Sequence, residues 1–509
     1  MRFGDPGSPA LDSPPVNDAD RPASPEPGAP LRLVDVQAAV AAELDRIAPV
    51  IDELGALFAD AGHELALVGG PVRDAMLGRR SNDLDFTTSA RPEQMDGLLR
   101  AWGDAWWDMG RDFGTIGCRK GDWVVEVTTY RSESYDPDSR KPEVRYGDSL
   151  AGDLGRRDFT VNAMAVRLPG RELEDPYGGV VDLAHQLIRT PGTPEQSFSD
   201  DPLRMMRAAR FAAQLGFSVD PSVVTAMTEM ADRIQIISAE RVRDELVKLV
   251  CAPYPRLGLS LLVETGLADR VLPELPALKL ERDEHHRHKD VYEHTLTVLE
   301  QAIDLEPRLA ARGDIAPGPD FVSRFAALMH DVGKPRTRRF VDDGTVTFHH
   351  HDVVGAKLTR KRMKALKFSN DEIDAVGDLV ELHLRFHGYG SGEWTDAAVR
   401  RYVRDAGDQL ERLHVLTRAD CTTRNRKKAD RLRRTYDDLE ARIERLSAEE
   451  ELAAIRPDLD GNQIMQVLGI SPGREVGEAY QFLLELRLDN GPMTQEAATA
   501  ALKEWWAGR

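Results

Sequence analysis

Residues 65–86, LALVGGPVRDAMLGRRSNDLDF, constrain the fold more than any other stretch of the chain. The apolar run Leu65 to Val68 reads as a strand, and it stops at Gly69-Gly70. Pro71 then opens a helix at a position where its missing N–H costs nothing. Two glycines at such a turn let backbone amides approach an anion, and the helix start adds partial positive charge. Arg73, in the first helical turn, lies within reach of a triphosphate. About a dozen residues on comes Asp83-Leu84-Asp85. Side chains alternate along a strand, so the two aspartates share one face while Leu84 points into the core. Adjacent carboxylates repel unless a cation sits between them. Hard oxygens of this kind suit Mg²⁺, which substrate phosphates would also hold. Two such ions at ~3.5–4 Å would activate a hydroxyl and stabilise a leaving diphosphate. Glu126, on the VVEVTT strand, is a candidate third carboxylate. A glycine turn alone is ordinarily a tight turn, and an Asp pair alone a cap; the combination carries the reading.

The chain of 509 residues has room for three or four domains. Residues 1–30 hold eight prolines and almost no large apolar side chains, so this segment reads as a disordered tail. From Leu31 to Ala61 the apolar spacing is helical. Short strand-like runs follow (HELALVGG, SNDLDFTT, GTIGCRKGDWVVEVTTY, FTVNAMAVRL) with helical segments between them, to about Thr190. Beyond that point amphipathic helical stretches dominate. In the tail, Leu432 to Leu452, Ile464 to Leu468 and Val476 to Leu488 read as helical, with breaks at Gly461-Asn462-Gln463 and Pro472-Gly473. The expected fold is therefore α+β, a mixed sheet with helices followed by an all-α half.

Composition narrows the partners. No run of about 18 uncharged apolar residues predicts a membrane helix, and the opening MRFGDPGSPALDSPP lacks the apolar core of a secretory signal. Three cysteines, Cys118, Cys251 and Cys421, exclude a disulfide framework and fit a reducing cytoplasm. A net charge of -19 argues against coating nucleic acid by bulk attraction, but local basic faces can still grip phosphates. Lys357 to Lys367 carries six basic residues and no acid, and Arg418 to Arg434 carries eight against Asp420 and Asp430. Either run alone could equally be a solvated helix face.

The glycine pair, the Arg73-Asp74 step and the DxD strand together resemble the nucleotidyltransferase signature of the DNA polymerase β superfamily. Four further blocks extend the likeness. Arg156-Arg157-Asp158-Phe159-Thr160-Val161-Asn162-Ala163-Met164-Ala165 resembles the RRDFTxNAxA motif of class II tRNA nucleotidyltransferases and bacterial poly(A) polymerases. Asp175-Pro176-Tyr177-Gly178-Gly179 with Asp182-Leu183 is similar to their DPxGGxxDL element. Asp200-Asp201-Pro202-Leu203-Arg204, through Arg207 to Arg210-Phe211, resembles the EDxxRxxRxxRF helix, with Asp200 in place of the usual Glu. Ser238-Ala239-Glu240-Arg241 with Asp244-Glu245-Leu246 resembles the fifth block.

The Asp200 block also has a reading of its own. On one helix, Asp201 and Arg204 would be neighbours, and Arg207 and Arg210 would extend the row. Cytosine and adenine each present an amine donor beside a ring-nitrogen acceptor, whereas uracil and guanine present the reverse. A carboxylate only accepts and a guanidinium only donates. Asp201 with Arg204 therefore suits C and A, and the resemblance assigns that pair the same role. A plain surface Asp–Arg pair is the alternative.

Most of the 13 histidines fall between 285 and 414. His288, His294, His330-Asp331 with Lys334, His349, His350, His351, His383 and the late Asp420 resemble the HD metal-dependent phosphohydrolase domain. Imidazole and carboxylate ligands suit Mn, Ni, Fe or Zn, so a second divalent transition metal is expected, with His294, His330, Asp331 and Asp420 as its ligands.

Taken as a whole, the chain resembles an actinobacterial-type class II CCA-adding tRNA nucleotidyltransferase carrying an HD domain. That resemblance implies a head at 31–190, a helical neck at 191–275, an HD domain at 276–430 and a tRNA-binding tail at 431–509. It implies addition of C, C and A to tRNA from CTP and ATP with Mg²⁺. Asp83 and Asp85 would be catalytic and metal-binding. Gly70 and Arg73 would bind triphosphate, Arg156 and Arg157 ribose and phosphate, Asp201 and Arg204 the base, with Arg207 and Arg210 assisting. The polar stretch between Tyr130 and Asp153 would be a loop that reshapes the nucleotide pocket. A poly(A) polymerase or A-only enzyme shares all these motifs, and an HD phosphohydrolase acting on RNA ends is a further alternative.

Overall fold

The computed structural model describes residues 33–134, 143–147, 149–280, 290–312, 315–341, 346–388, 394–421, 426–450 and 456–509. The Pro-rich segment, His288 and the middle of the 130–153 stretch lie outside the described residues. The chain forms two compact units. The first comprises the residues up to Arg204 with Leu215–Ala226; the second comprises Met205–Gln214 with Met227–Arg509.

The first unit opens with α1 (Leu33–Arg46) and α2 (Ala48–Asp60). The single helix expected over 31–61 is thus two, broken at Ile47 because Pro49 sits in the first turn of α2 and cannot donate to the turn before it. The elements that follow are β1 (Leu65–Val68), α3 (Gly70–Met76), β2 (Asp83–Thr88), α4 (Pro92–Trp102), β3 (Ala105–Trp107), β4 (Thr115–Lys120), β5 (Trp123–Thr129), β6 (Arg131–Ser134) and β7 (Glu143–Tyr146). After them come α5 (Leu150–Gly155), β8 (Ala165–Leu168), β9 (Glu172–Glu174), α6 (Gly179–Ala184), α7 (Pro194–Asp200) and α8 (Leu203–Leu215).

Seven strands make one mixed sheet in the order β3-β4-β5-β2-β1-β8-β9, while β6 and β7 form a separate hairpin. Within the seven-stranded sheet only β2 and β5 run parallel. The hairpin between β4 and β5 turns at Gly121, whose φ of 57° favours a residue without a Cβ.

Alternation divides the two faces of the sheet. Leu84 and Phe86 of β2, Ile116 and Cys118 of β4, and Val125 and Val127 of β5 are buried. Helix α4 covers β4 and β5 with Met95 and Leu99, and α2 covers β1 and β8 with Ile51, Leu54 and Phe58. At Gly55 a Cβ would lie 3.0 Å from the Leu168 Cβ, so a side chain there would push α2 and β8 apart by a few tenths of an ångström. On the opposite face, Leu150 and Leu154 of α5 with Tyr130 cover Ala66 and Val68 of β1 and Ala165 of β8. The remainder of that face, over β2, β5, β4 and β3, carries the polar residues described below.

Among the described residues the second unit is helical apart from one short strand pair, Arg339–Phe340 with Val346–Thr347. Its middle packs the Val291–Arg312 helix against Phe321–Met329 and Leu410–Ala419, and His351–Ala365 against Asn370–Leu382. At the C-terminus the helices Gly461–Leu468, Arg474–Asn490 and Gln495–Ala507 share a core of Leu459, Ile464, Ala479, Leu483, Ala498 and Leu502. Gly461-Asn462-Gln463, read as a break, is instead a first helical turn, because Asp460 and Gln463 close a reciprocal capping box around it. The helical tail ends in Gln495–Ala507, beyond the segments that the apolar pattern marks individually. Among the described residues no helix is long and apolar enough to cross a membrane.

Candidate active site and metal centre

The β2–β5 pairing sets Asp83 beside Val124, Leu84 beside Val125 and Asp85 beside Glu126. Paired residues point the same way, so Asp83, Asp85 and Glu126 project together from the face opposite α2 and α4. Crowding by protein atoms raises the Asp85 carboxyl above its ordinary value; the Arg157 charge opposes this and Asp83 reinforces it. Glu126 is raised too, by its surroundings first and then by Asp85 and Asp83. Asp85 and Glu126, both held toward the neutral acid, stand with Asp83 as three adjacent carboxylates, and this donor set fits a hard divalent cation.

The glycine turn adjoins that seat. Gly69 has φ 73°, and a Cβ there would lie 2.8 Å from the Arg157 Nη1, so the Arg157 guanidinium rests on the turn. Helix α3 is only seven residues long. Arg73 Nη1 donates to Asn162 Oδ1 at 2.6 Å, and Arg73 Nε and Nη2 donate to the Asp74 carboxylate at 2.9 Å. Asn162 Nδ2 in turn donates to Asp158 Oδ1 at 3.0 Å. Thus Asp158 and Asn162 of the RRDFTVNA stretch hold Arg73 from behind, a role that spacing alone does not reveal.

Arg156 and Arg157 share one buried anchor. Asp153 accepts from Arg156 Nε and Nη2 at 3.0 and 2.7 Å and from Arg157 Nη2 at 3.3 Å. Burial alone would raise Asp153, but the two guanidinium groups hold it below the usual carboxylate range. The Arg157 Nε is buried without a hydrogen bond. The Asp175 block acts as a brace. Asp175 accepts from the Gly179 and Val180 amides at 2.6 and 3.0 Å. A Cβ at Gly179 would meet the Thr160 carbonyl oxygen at 2.3 Å, and Asp182 accepts from Thr160 Oγ1 at 2.5 Å.

Asp201 and Arg204 do not share a helical face as expected. Helix α7 ends at Asp200, Asp201 caps it in extended conformation, and α8 begins at Leu203. Pro202, which cannot donate an amide, forces the break. Asp201 Oδ1 accepts from the Leu203 amide at 3.0 Å. Arg204, buried, donates to Ser197 Oγ at 3.0 Å and to the Arg156 carbonyl oxygen. Both residues belong to the first unit, whereas Arg207 and Arg210 belong to the second. Arg207 lies 5.7 Å and Arg210 4.2 Å from the Phe211 ring centre. Arg210 forms a buried ion pair with Glu245 of the fifth block at 3.2 Å.

The histidines converge in the second unit. His294 Nε2 lies 3.0 Å from Asp420 Oδ1 and 3.5 Å from Asp331 Oδ2. His330 Nε2 lies 3.3 Å from Asp331, and His351 Nε2 is 3.3 Å from its other oxygen. Ligand atoms of His294, His330 and Asp420 lie within 4.8 Å of one another, as do those of Asp331, His351 and His383. The four expected ligands are therefore joined by His351 and His383, while His349 and His350 are exposed. Gly333 makes this possible: a Cβ there would strike the His351 carbonyl oxygen at 2.0 Å.

Each of His330, His351 and His383 directs Nδ1 at the carbonyl three residues earlier, at 2.6–2.8 Å. That contact fixes the Nδ1–H tautomer and turns Nε2 inward, where all three Nε2 atoms are buried without a hydrogen bond. Burial would raise Asp331, yet His330 and Lys334, whose Nζ donates at 2.6 Å, hold it well below the usual range. Burial and His330 push His383 down to about 4, so it is neutral and ready to coordinate. Inward lone pairs beside ionised carboxylates fit divalent metal ions.

Several arginines of the basic runs are already engaged. Arg360 pairs with Asp378 and Glu381, Arg362 with Glu274, and Arg418 with Asp437 and Glu440.

Residues 65–189 match the poly A polymerase head domain. Residues 216–278 match the probable RNA and SrmB-binding site of polymerase A, and residues 291–425 the HD domain. An A-adding tRNA nucleotidyltransferase of Deinococcus radiodurans is 34% identical over 449 residues, covering 86% of this chain and 95% of that protein. CCA-adding enzymes of Levilactobacillus brevis and Bacillus subtilis are 43% and 40% identical over 208 and 225 residues. Those two alignments take in 41% and 44% of this chain and about half of each relative, 51% and 54%. The fold is shared with the Bacillus stearothermophilus CCA-adding enzyme in complex with CTP (TM-score 0.61, 24% identity, 94% of this chain and 99% of that one). It is shared also with the Thermotoga maritima CCA-adding enzyme complexed with tRNA (TM-score 0.59, 18% identity, 93% and 98%). Likeness to the Deinococcus radiodurans protein along almost its entire length, together with head, RNA-binding and HD matches in turn along this chain, means that the chain belongs to the tRNA nucleotidyltransferase family.

Proposed function

We propose that this protein rebuilds the 3′ end of tRNA by adding C, C and A from CTP and ATP, with release of diphosphate. One observation carries the reading. Arg204 donates to the Arg156 carbonyl, which ties the base-reading pair to the two-arginine motif whose Arg157 acts on Asp85. Base selection and bond formation thereby share one rigid frame.

Asp83 and Asp85 would hold Mg²⁺, with Glu126 at its edge; bound there, the ion supplies Lewis-acid stabilisation of phosphate charge. Gly70 and Arg73 receive the triphosphate, and the Asn162–Asp158 brace keeps the Arg73 guanidinium in place. Arg156 and Arg157 support ribose and phosphate from their Asp153 anchor. Asp201 accepts the exocyclic amine of C or A, and Arg204 donates to the ring nitrogen. Arg207 and Arg210 continue along the same helix, with Arg210 stiffened by Glu245. The basic runs at 357–367 and 418–434 would grip the tRNA body, through Lys357, Lys361, Lys364 and Lys367 of the first and Lys427, Arg431 and Arg434 of the second. The test is Asp85→Asn: incorporation of CMP and of AMP into RNA ends should fall together. Loss of only one would mean separate sites.

A narrower reading, addition of A alone, is favoured by the name of the Deinococcus radiodurans relative. The second unit supports a separate activity. The His294, His330, Asp331, His351, His383 and Asp420 centre has the ligand chemistry of a metal-dependent phosphoesterase, and it would hydrolyse phosphomonoesters or cyclic phosphates at RNA ends.

A further inference from the structure

One row crosses the face of the sheet that carries the carboxylates. Trp107 of β3 pairs with Gly117 of β4, Gly117 with Glu126 of β5, and Glu126 with Asp85 of β2. The Trp107 ring bends back along this row. A Cβ built on Gly117 would meet the indole Nε1 at 2.0 Å, Cε2 at 2.2 Å and Cζ2 at 2.6 Å, so the ring covers the glycine. Any side chain at Gly117 would lift the indole away, and Trp107 remains partly exposed. At the ordinary strand spacing the ring lies about 10 Å from Asp85, two strands along the same face.

A second residue stands beside it. Arg119 pairs with Val124, and Val124 with Asp83, so its side chain rises from the same face in the neighbouring row. Arg119 is exposed, and among the described residues its guanidinium enters no ion pair. An aromatic surface and a free cation next to a carboxylate cluster match a single RNA strand, whose bases stack on rings and whose phosphates seek guanidinium. At the other end of the face, α5 and Tyr130 close off β1 and β8. A strand delivering its terminal hydroxyl to Asp85 therefore has this half of the sheet to lie on.

We propose that Trp107 and Arg119 form a platform for the 3′-terminal nucleotides of the acceptor strand. The terminal base rests on the indole and the adjoining phosphate meets Arg119. The inference rests on the nucleotidyl-transfer reading above and adds the acceptor side, to which the sequence motifs assign no residue.

The test compares wild type with Trp107→Ala, Trp107→Phe and Arg119→Gln. Steady-state rates are measured with tRNA lacking its terminal CCA, varying tRNA and nucleotide separately. Loss of one stacked base predicts a tRNA KM roughly 5- to 100-fold higher in Trp107→Ala. The nucleotide KM should stay within about twofold, and Trp107→Phe should recover most of the effect. Arg119→Gln should flatten the salt dependence of tRNA binding by about 0.7 in the log–log slope. Equilibrium binding of tRNA with and without its single-stranded 3′ extension separates this idea from the catalytic one. Wild type should prefer the extended form and Trp107→Ala should lose the preference, whether or not turnover is seen. An unchanged tRNA KM and preference in Trp107→Ala, or an equal rise in nucleotide KM, overturns the platform; absence of nucleotide addition by wild type overturns only the catalytic reading.

Discussion

Asp85 and Glu126 stand directly opposite each other across the parallel β2–β5 pairing, and burial, reinforced by the Asp85 charge, holds Glu126 above its ordinary value. A carboxyl raised on folding binds its proton more tightly in the native than in the unfolded chain. It therefore weakens the fold as pH climbs through the shifted value and costs nothing below about pH 4, where both states are protonated. Asp85→Asn should raise the melting temperature of metal-free protein at pH 7, with the gain vanishing near pH 4, while kcat falls at least ~10³-fold. Thermal melts at both pH values and single-turnover rates check this; a lower melting temperature at pH 7 contradicts a strained carboxylate cluster.

Base selection should be separable from catalysis. Asp201→Asn replaces an acceptor-only group with one that also donates. Its discrimination against UTP and GTP should drop by roughly 10²- to 10⁴-fold, while kcat with CTP drops far less. Misincorporation with single nucleotides on defined RNA ends measures it, and unchanged selectivity would move base reading elsewhere.

The histidine centre should bind metal independently of the head. Two ligand trios predict about two divalent ions per chain after exposure to Mn²⁺ or Ni²⁺ and desalting. His383→Ala should lose one of them and leave tRNA extension within about twofold. Elemental analysis of the purified variants decides this, and a His383→Ala protein with full metal content counts against the second trio.

Acid should loosen the second unit through His383. Its pKa is pushed down to about 4 by burial, so the folded state resists a proton that the unfolded chain accepts near 6.5. This contribution to stability is complete above pH 6.5 and is lost as pH falls toward 4, by about 3 kcal/mol at the end of that window. In metal-free protein, denaturant midpoints for wild type and His383→Asn should converge as pH falls from 7 to 4.5. Parallel curves would mean that His383 is not the group being titrated.

Local chemistry made much of this legible beforehand. The DxD strand, the glycine turn and the HD dyad each lie within a few consecutive residues, and period-two alternation placed Asp83 and Asp85 on one face. Partnerships set by tertiary packing were not legible. Nothing near Asn162 in the chain points to Arg73, 89 positions away. Arg210 reads as a surface cation until Glu245, 35 residues on, is folded against it. Pro202 hides the break between α7 and α8, because a proline fits the first turn of a helix as readily as it ends one. His351 and His383 stand among the histidines of the sequence, but only the close approach of Gly333 to the His351 backbone sets His351 apart from the exposed His349 and His350.

The most direct measurement uses a tRNA trimmed to the position before CCA, incubated with labelled CTP alone, ATP alone, and both, and resolved at single-nucleotide length. The account predicts two additions with CTP alone and a third when ATP is also present, with extension stopping there. No incorporation of C, with a single A added only to tRNA already ending in CC, or an open-ended run of A, would contradict it.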